Sequence, residues 1–127
     1  MPPIAQANVT VFQTPSDEDY IGQRTNMMTP KMSFGNGVLT YDTYGIPLPN
    51  LNAFRLKTWI RRLFIQPTVV FTTDSPPHPL IFWYDPTPRA ANPVAPNGTI
   101  RILDLHTLAE FSGAPPAISL FLEIWGS

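Results

Sequence analysis

The chain has 127 residues, with 16 prolines, 7 glycines and no cysteine, and its 8 basic and 9 acidic side chains leave a net charge of −1. Apolar residues make up 43% and charged residues 13%, against roughly 25% charged in an average soluble domain; a chain with so much to bury and so little net charge is not disordered. Proline at this density excludes long helices, because it removes a backbone donor and clashes with the preceding turn, and the lack of cysteine excludes a disulfide framework or a thiolate metal site.

A length of 127 residues predicts one domain with a core that needs no covalent staple. The opening residues carry no basic start and no apolar run of a secretory signal. No stretch approaches 18 apolar residues, so no membrane span is expected. Without a secretion signal, the two glycosylation-type triplets at Asn8 and Asn97 read as chance. An intracellular or a virion setting fits equally.

In chain order, residues 1–7 read as a flexible N-terminal arm ahead of a single domain over 8–127, since prolines and small or polar residues give little to anchor. Residues 8–13 alternate and carry β-branched side chains, which predicts a first strand. Residues 14–29 form a polar connection long enough to be a candidate contact segment, with Tyr20 inside it. Asn36-Gly37, between the apolar runs 32–34 and 38–41, predicts a tight hairpin. A loop over 42–53 follows, held extended by Pro47 and Pro49.

Residues 54–65 fit two templates. On a helix, Leu56, Trp59, Ile60, Leu63 and Phe64 share one face; on a strand, Arg61 and Arg62 point to opposite sides. The nearby Pro67 and the β character of the surroundings favour a strand over 58–65. Residues 68–73 and 80–85 are short apolar runs bounded by proline. The seven prolines between Pro76 and Pro96 place the second run at an edge or corner. Asn97-Gly98 turns the chain into a strand over 99–105. The last strand, 118–125, alternates cleanly, with Ile118, Leu120, Leu122 and Ile124 facing the core and Ser119, Phe121, Glu123 and Trp125 facing away. The total is about eight strands without an internal repeat, which predicts an all-β, single-domain β-sandwich of Greek-key or jelly-roll type with long proline-rich loops.

The residues for catalysis are few. Asp104 and His106 would share one face of a strand, as a base and its orienting carboxylate do, but no nucleophile elbow or cysteine accompanies them. No His/Asp/Glu cluster has a metal-ligand spacing, and no glycine-rich phosphate loop is present, so neither a metal nor a cofactor is expected and the chain is read as a non-enzyme. Arg55, Lys57, Arg61 and Arg62 hold half of the positive charge beside Phe54 and Trp59. A dedicated nucleic-acid binder would be basic overall, so contact of this stripe with an acidic protein surface is the better reading. Trp59, Trp83, Tyr84 and Trp125 leave a sugar-stacking platform open. Phe121 and Trp125 lie opposite the core row and need cover, from this chain or from a second subunit. The candidate interface residues are therefore Pro2, Pro3 and Ile4 of the arm, Tyr20, Arg61 and Arg62, and Phe121 and Trp125.

Several pieces of the chain resemble one group of proteins. Lys31 to Tyr41 (KMSFGNGVLTY), Gly45-Ile-Pro-Leu48, Trp83-Tyr-Asp85, Gly98-Thr-Ile-Arg101 and Leu122-Glu-Ile-Trp-Gly126 are similar to segments of small structural proteins of tailed bacteriophages. Asp42 departs from that pattern where a proline is usual, and Tyr44 where a glycine is. The resemblance implies a virion protein made in the host cytoplasm. It implies a decoration or cement protein that self-associates as a dimer or trimer and binds the major capsid protein on the outer shell. A tail- or fibre-associated, carbohydrate-binding module is the alternative.

Overall fold

The computed structural model describes residues 3–12, 26–41, 44–67, 69–73, 76–90 and 94–127, and the backbone of 18–20. The described residues form two antiparallel sheets. The first holds β1 (Thr10–Phe12), β2 (Glu18–Tyr20), β3 (Asn26–Met28), β4 (Lys31–Phe34), β6 (Ile60–Gln66) and β11 (Ile118–Gly126). The second holds β5 (Ile46–Pro47), β7 (Val69–Phe71), β8 (Pro79–Asp85), β9 (Thr99–Asp104) and β10 (Ala109–Glu110).

β11 organises the first sheet. Ile118 lies opposite Phe34, Leu120 opposite Met32, Ile124 opposite Met28 and Gly126 opposite Asn26, one unbroken register along β4 and β3. Between them the Leu122 N–H donates to the Pro30 carbonyl. Pro30 supplies the acceptor half of a pair whose donor half it lacks, and so divides what is geometrically a single strand. β1 and β2 flank β4 and β3 on the far side, while β6 covers the opposite edge of β11. In the second sheet β8 lies between β7 and β9, and β5 and β10 share the outer side of β9.

The alternation of the last strand sets the core. Ile118, Leu120, Leu122 and Ile124 are buried with Met28, Met32 and Phe34 and with Leu80, Ile100 and Ile102 of the second sheet. Each such side chain contributes about 1.5–3 kcal/mol of burial. Ile4, Tyr41, Leu48, Phe54 and Leu56 join the same cluster from the connections.

Several expectations change. From Pro3 on, the arm is docked: Pro3 bridges Thr40, the Ile4 N–H donates to the Thr40 carbonyl, and Gln6 reaches the Leu48 carbonyl. The polar connection over 14–29 contains β2 and β3, paired with each other, because Met28 of this stretch alternates into the core. The hairpin at Asn36-Gly37 does not form. Asn36 Oδ1 instead accepts from the Val38 and Leu39 N–H groups, and Gly37 donates to the Pro115 carbonyl, so the chain leaves β4 without folding back on it. Residues 54–65 resolve into a short 3-10 turn, Leu51–Phe54, and then β6. Arg55 at φ 58° stops the turn in the left-handed region before a helix can extend. The proline-fenced run 80–85 is interior, paired on both sides, because Pro79 occupies the first strand position and costs no inner ladder bond.

Candidate docking surface

Residues directly opposite in a ladder share a sheet face, so the registers define what the first sheet shows on the side away from the core. One row runs Phe12, Lys31, Phe121, Gln66 across β1, β4, β11 and β6. The next row on one side is Thr10, Ser33, Ser119, with the two serine hydroxyls 3.0 Å apart. On the other side Phe64 lies opposite Glu123, and Arg62 opposite Trp125, which also faces Met27. Three phenylalanines on this face are open to solvent: Phe12 at 65%, Phe121 at 55% and Phe64 at 53%. They border two shallow hollows that meet at Phe121. One of about 620 Å³ lies between Phe12, Lys31 and Ser33, and one of about 520 Å³ between Phe64, Glu123 and Thr29.

The expected interface residues separate on this frame. Phe121 is at the centre of the face. Trp125 is on it but half-buried, its indole Nε1 enclosed without a hydrogen-bond partner among the described residues. Arg62 is on the same face, and Arg61 does not alternate to the opposite side as a regular strand would have it: the β6–β11 register slips by one residue between Trp125 and Gly126, so Arg61 sits in a bulge and both arginines are exposed. The basic stripe 55–62 is not one regular face, since Arg55 closes a turn and only Arg61 and Arg62 stand on β6. Ile4 does not belong to any surface: it is 1% exposed, within this chain's own core, because its burial completes the cluster beside Tyr41. Pro3 is half-buried against Thr40. Pro2 and the side chain of Tyr20 lie outside the described residues. Phe12, Phe64 and Lys31 were missed from sequence. Lys31-Met-Ser-Phe34 alternates and carried a signal, but Phe64 shares a face with Phe121 only through the β6–β11 register, which no local pattern states.

The second sheet holds the polar chemistry. Arg101 bridges Asp85 and Glu110 and lies 5.8 Å from the exposed Trp83 ring, directly opposite on β8. The Tyr41 hydroxyl donates to Glu110 and accepts from the buried Ile102 N–H, and burial holds its phenol well above the usual range. At the end of β9, Asp104 serves a different histidine from the one its sequence neighbourhood pointed to. Its Oδ2 accepts from His78 Nδ1 at 2.9 Å, its Oδ1 accepts the His106 backbone N–H, and the His106 ring stacks on His78 at 4.2 Å. The base-and-carboxylate geometry expected for Asp104 and His106 is absent, because the chain turns after Asp104 and carries the imidazole away from it. Burial raises the Asp104 carboxyl, but the bonds from His78, His106 and Thr107 outweigh it and leave the group below the ordinary carboxylate range. Among the described residues no group of three or more His, Asp or Glu side chains is placed to hold a metal ion. No described helix is long and apolar enough to cross a membrane.

No protein-family model, curated protein or solved structure matches this chain.

Proposed function

We propose that the chain is a non-enzymatic virion structural protein, a β-sandwich decoration or cement protein of the tailed-bacteriophage kind. In this reading it self-associates, sits on the outer capsid surface and binds the major capsid protein of the assembled shell. The observation that carries the reading is the exposed Phe12, Phe121 and Phe64 on one sheet face, around a single lysine. Aromatic side chains on rigid strands bury a large area at low entropic cost, which suits a permanent contact better than a transient one. The family resemblance of residues 31–126 supplies the shell as partner. The mechanism is stabilisation by binding: a protein that binds the assembled lattice and not its free subunits shifts the equilibrium toward the lattice.

Co-sedimentation tests it. The chain should pellet with expanded capsids and not associate with free capsid subunits, and Phe121→Ser should weaken the pelleting at least tenfold. A chain that stays in the supernatant at micromolar concentration overturns the reading. The alternative, a glycan-binding tail or fibre module, draws on exposed Trp83 beside the Asp85, Arg101 and Glu110 group. It requires glycan binding that is lost in Trp83→Ala and kept in Phe121→Ser.

A further inference from the structure

The free flank of the second sheet is β7, and its edge is complementary to itself. The Thr72 N–H donates to the His78 carbonyl, so Thr72 turns its backbone toward β8. Backbone groups in a strand point to alternate sides, and the β7–β8 register runs without a slip. Val70 therefore serves β8 as well, while Val69 and Phe71 point their groups away. Pro79, opposite Phe71, fits this alternation: it has no N–H to give β7, and its carbonyl accepts from Leu105 on the β9 side. β7 has no ladder partner other than β8, and neither Val69 nor Phe71 makes a backbone bond to any other described residue. Both side chains are open on the outer face, Phe71 at 64% and Val69 at 39%. They continue apolar rows of that face, Phe71 beside Pro79 and Val69 beside Ile81 and Leu103. β6 packs across the core chiefly against β8, so β7 stands clear of the first sheet.

We propose that this edge is where two copies of the chain join, β7 against β7, antiparallel about a two-fold axis at Val70. The inference rests on the self-association in the reading above and gives it a place and a register. Centred on Val70, the pairing sets Val69 opposite Phe71 of the second copy, and every outward N–H and C=O of both strands finds a partner. Centring on Val69 sets Phe71 against Pro67, which has no N–H, and centring on Phe71 sets Val69 against Thr73, past the end of the strand. In the Val70 register the exposed ring of Phe71 covers Val69 of the second copy, and the apolar rows run on from one sheet into the other. Edges that must stay alone carry charge, proline or a bulge. β6 is guarded in this way by Arg61, Arg62 and its slipped register, whereas no charged residue stands between Pro67 and Thr73. A second copy suits so short an edge better than a loose peptide does, because its strand is already held by its own β8 and loses little entropy on pairing. The two-fold is perpendicular to the joined sheet, so both first-sheet faces, each with Phe12, Phe64 and Phe121, look the same way and meet one shell together.

The chain has no cysteine, so single introduced cysteines report the register without background. Val69 and Phe71 of the second copy form a hydrogen-bonded pair, with Cα atoms about 5.5 Å apart and inside disulfide range. Like positions are diagonal, at roughly 7–8 Å, and outside it. Under mild oxidation a mixture of Val69→Cys and Phe71→Cys chains should give a mixed disulfide dimer, and each variant alone should give little. Each mixed dimer keeps one native contact of Val69 with Phe71, so neither substitution removes the interface. Phe71→Lys is the second probe: this side chain faces solvent in the single chain, so circular dichroism should be unchanged while the dimer dissociation constant by light scattering rises at least tenfold. Phe121→Ser, on the other sheet, should leave that constant unchanged. Cross-linking of either cysteine variant with itself in preference to the mixture overturns the register. Self-association with no cross-link in any mixture, a Phe71→Lys dimer as tight as the parent, or a dimer lost in Phe121→Ser overturns the edge and leaves the wider reading standing. A monomer at every concentration overturns both, whereas a β7-linked dimer that does not pellet with shells upholds this inference and overturns the capsid reading.

Discussion

The Tyr41 hydroxyl sits between a buried backbone N–H and a carboxylate that is itself held by Arg101. Removing the oxygen leaves the Ile102 donor dry and unpaired, and such a group costs about 1–3 kcal/mol. Tyr41→Phe should therefore lower the unfolding free energy by about that amount, read from urea midpoints at constant slope. Asp104 makes a second single-residue case with a pH signature. Its folded carboxyl lies below its unfolded value, so its stabilisation is complete above pH about 4 and is lost as pH falls through the folded value. Asp104→Asn keeps an acceptor for the His106 N–H but loses the charge facing His78. The variant should be about 1–2 kcal/mol less stable at pH 7, and denaturation at pH 3 should bring parent and variant closer together.

At the scale of elements, β11 separates two kinds of apolar residue that stand side by side. Leu122→Ala empties a buried site and should cost about 2–5 kcal/mol. Phe121→Ser, one position earlier and facing out, should stay within about 0.5 kcal/mol of the parent. Thermal unfolding of the two variants tests the face assignment directly. Gly35 offers a local test of the chain's exit from β4. Its φ is +88° and an added Cβ would overlap the Pro116 carbonyl oxygen, so Gly35→Ala should cost at least about 1–3 kcal/mol. That crossing also explains why Asn36-Gly37 misleads as a hairpin signal. The dipeptide does turn the chain, but Gly37 itself donates to the Pro115 carbonyl and Tyr41 to the Gly113 carbonyl, and not to β4. Long alternating or β-branched runs were legible because their pattern is their burial, as in 118–126. The segments 18–20 and 26–28 were not, since three residues hold too little period and only their pairing makes them strands.

For the whole molecule, the all-β character and the orientation of the core row followed from composition and alternation, while the site did not. Phe121 was visible as an outward residue of a core strand. Its companions Phe12 and Phe64 stand 109 and 57 positions away in the chain and meet it only through two ladders. Ile4 failed as a surface residue because its neighbours are chosen by tertiary contact and not by its flanking prolines. β11 adds a consequence of its own. The strand that joins β3 and β4 to β6 follows both of them in sequence by more than fifty residues, so a chain emerging from the ribosome makes the flanks of the sheet well before the piece that joins them. Until residue 126 is free, Met28, Met32, Leu63 and Ile65 have no central strand to pack beside, and the nascent protein carries two unfinished apolar ribbons. Folding is set to a late, single closing event, and a release of the chain before residue 118 yields a species prone to pair with its own kind.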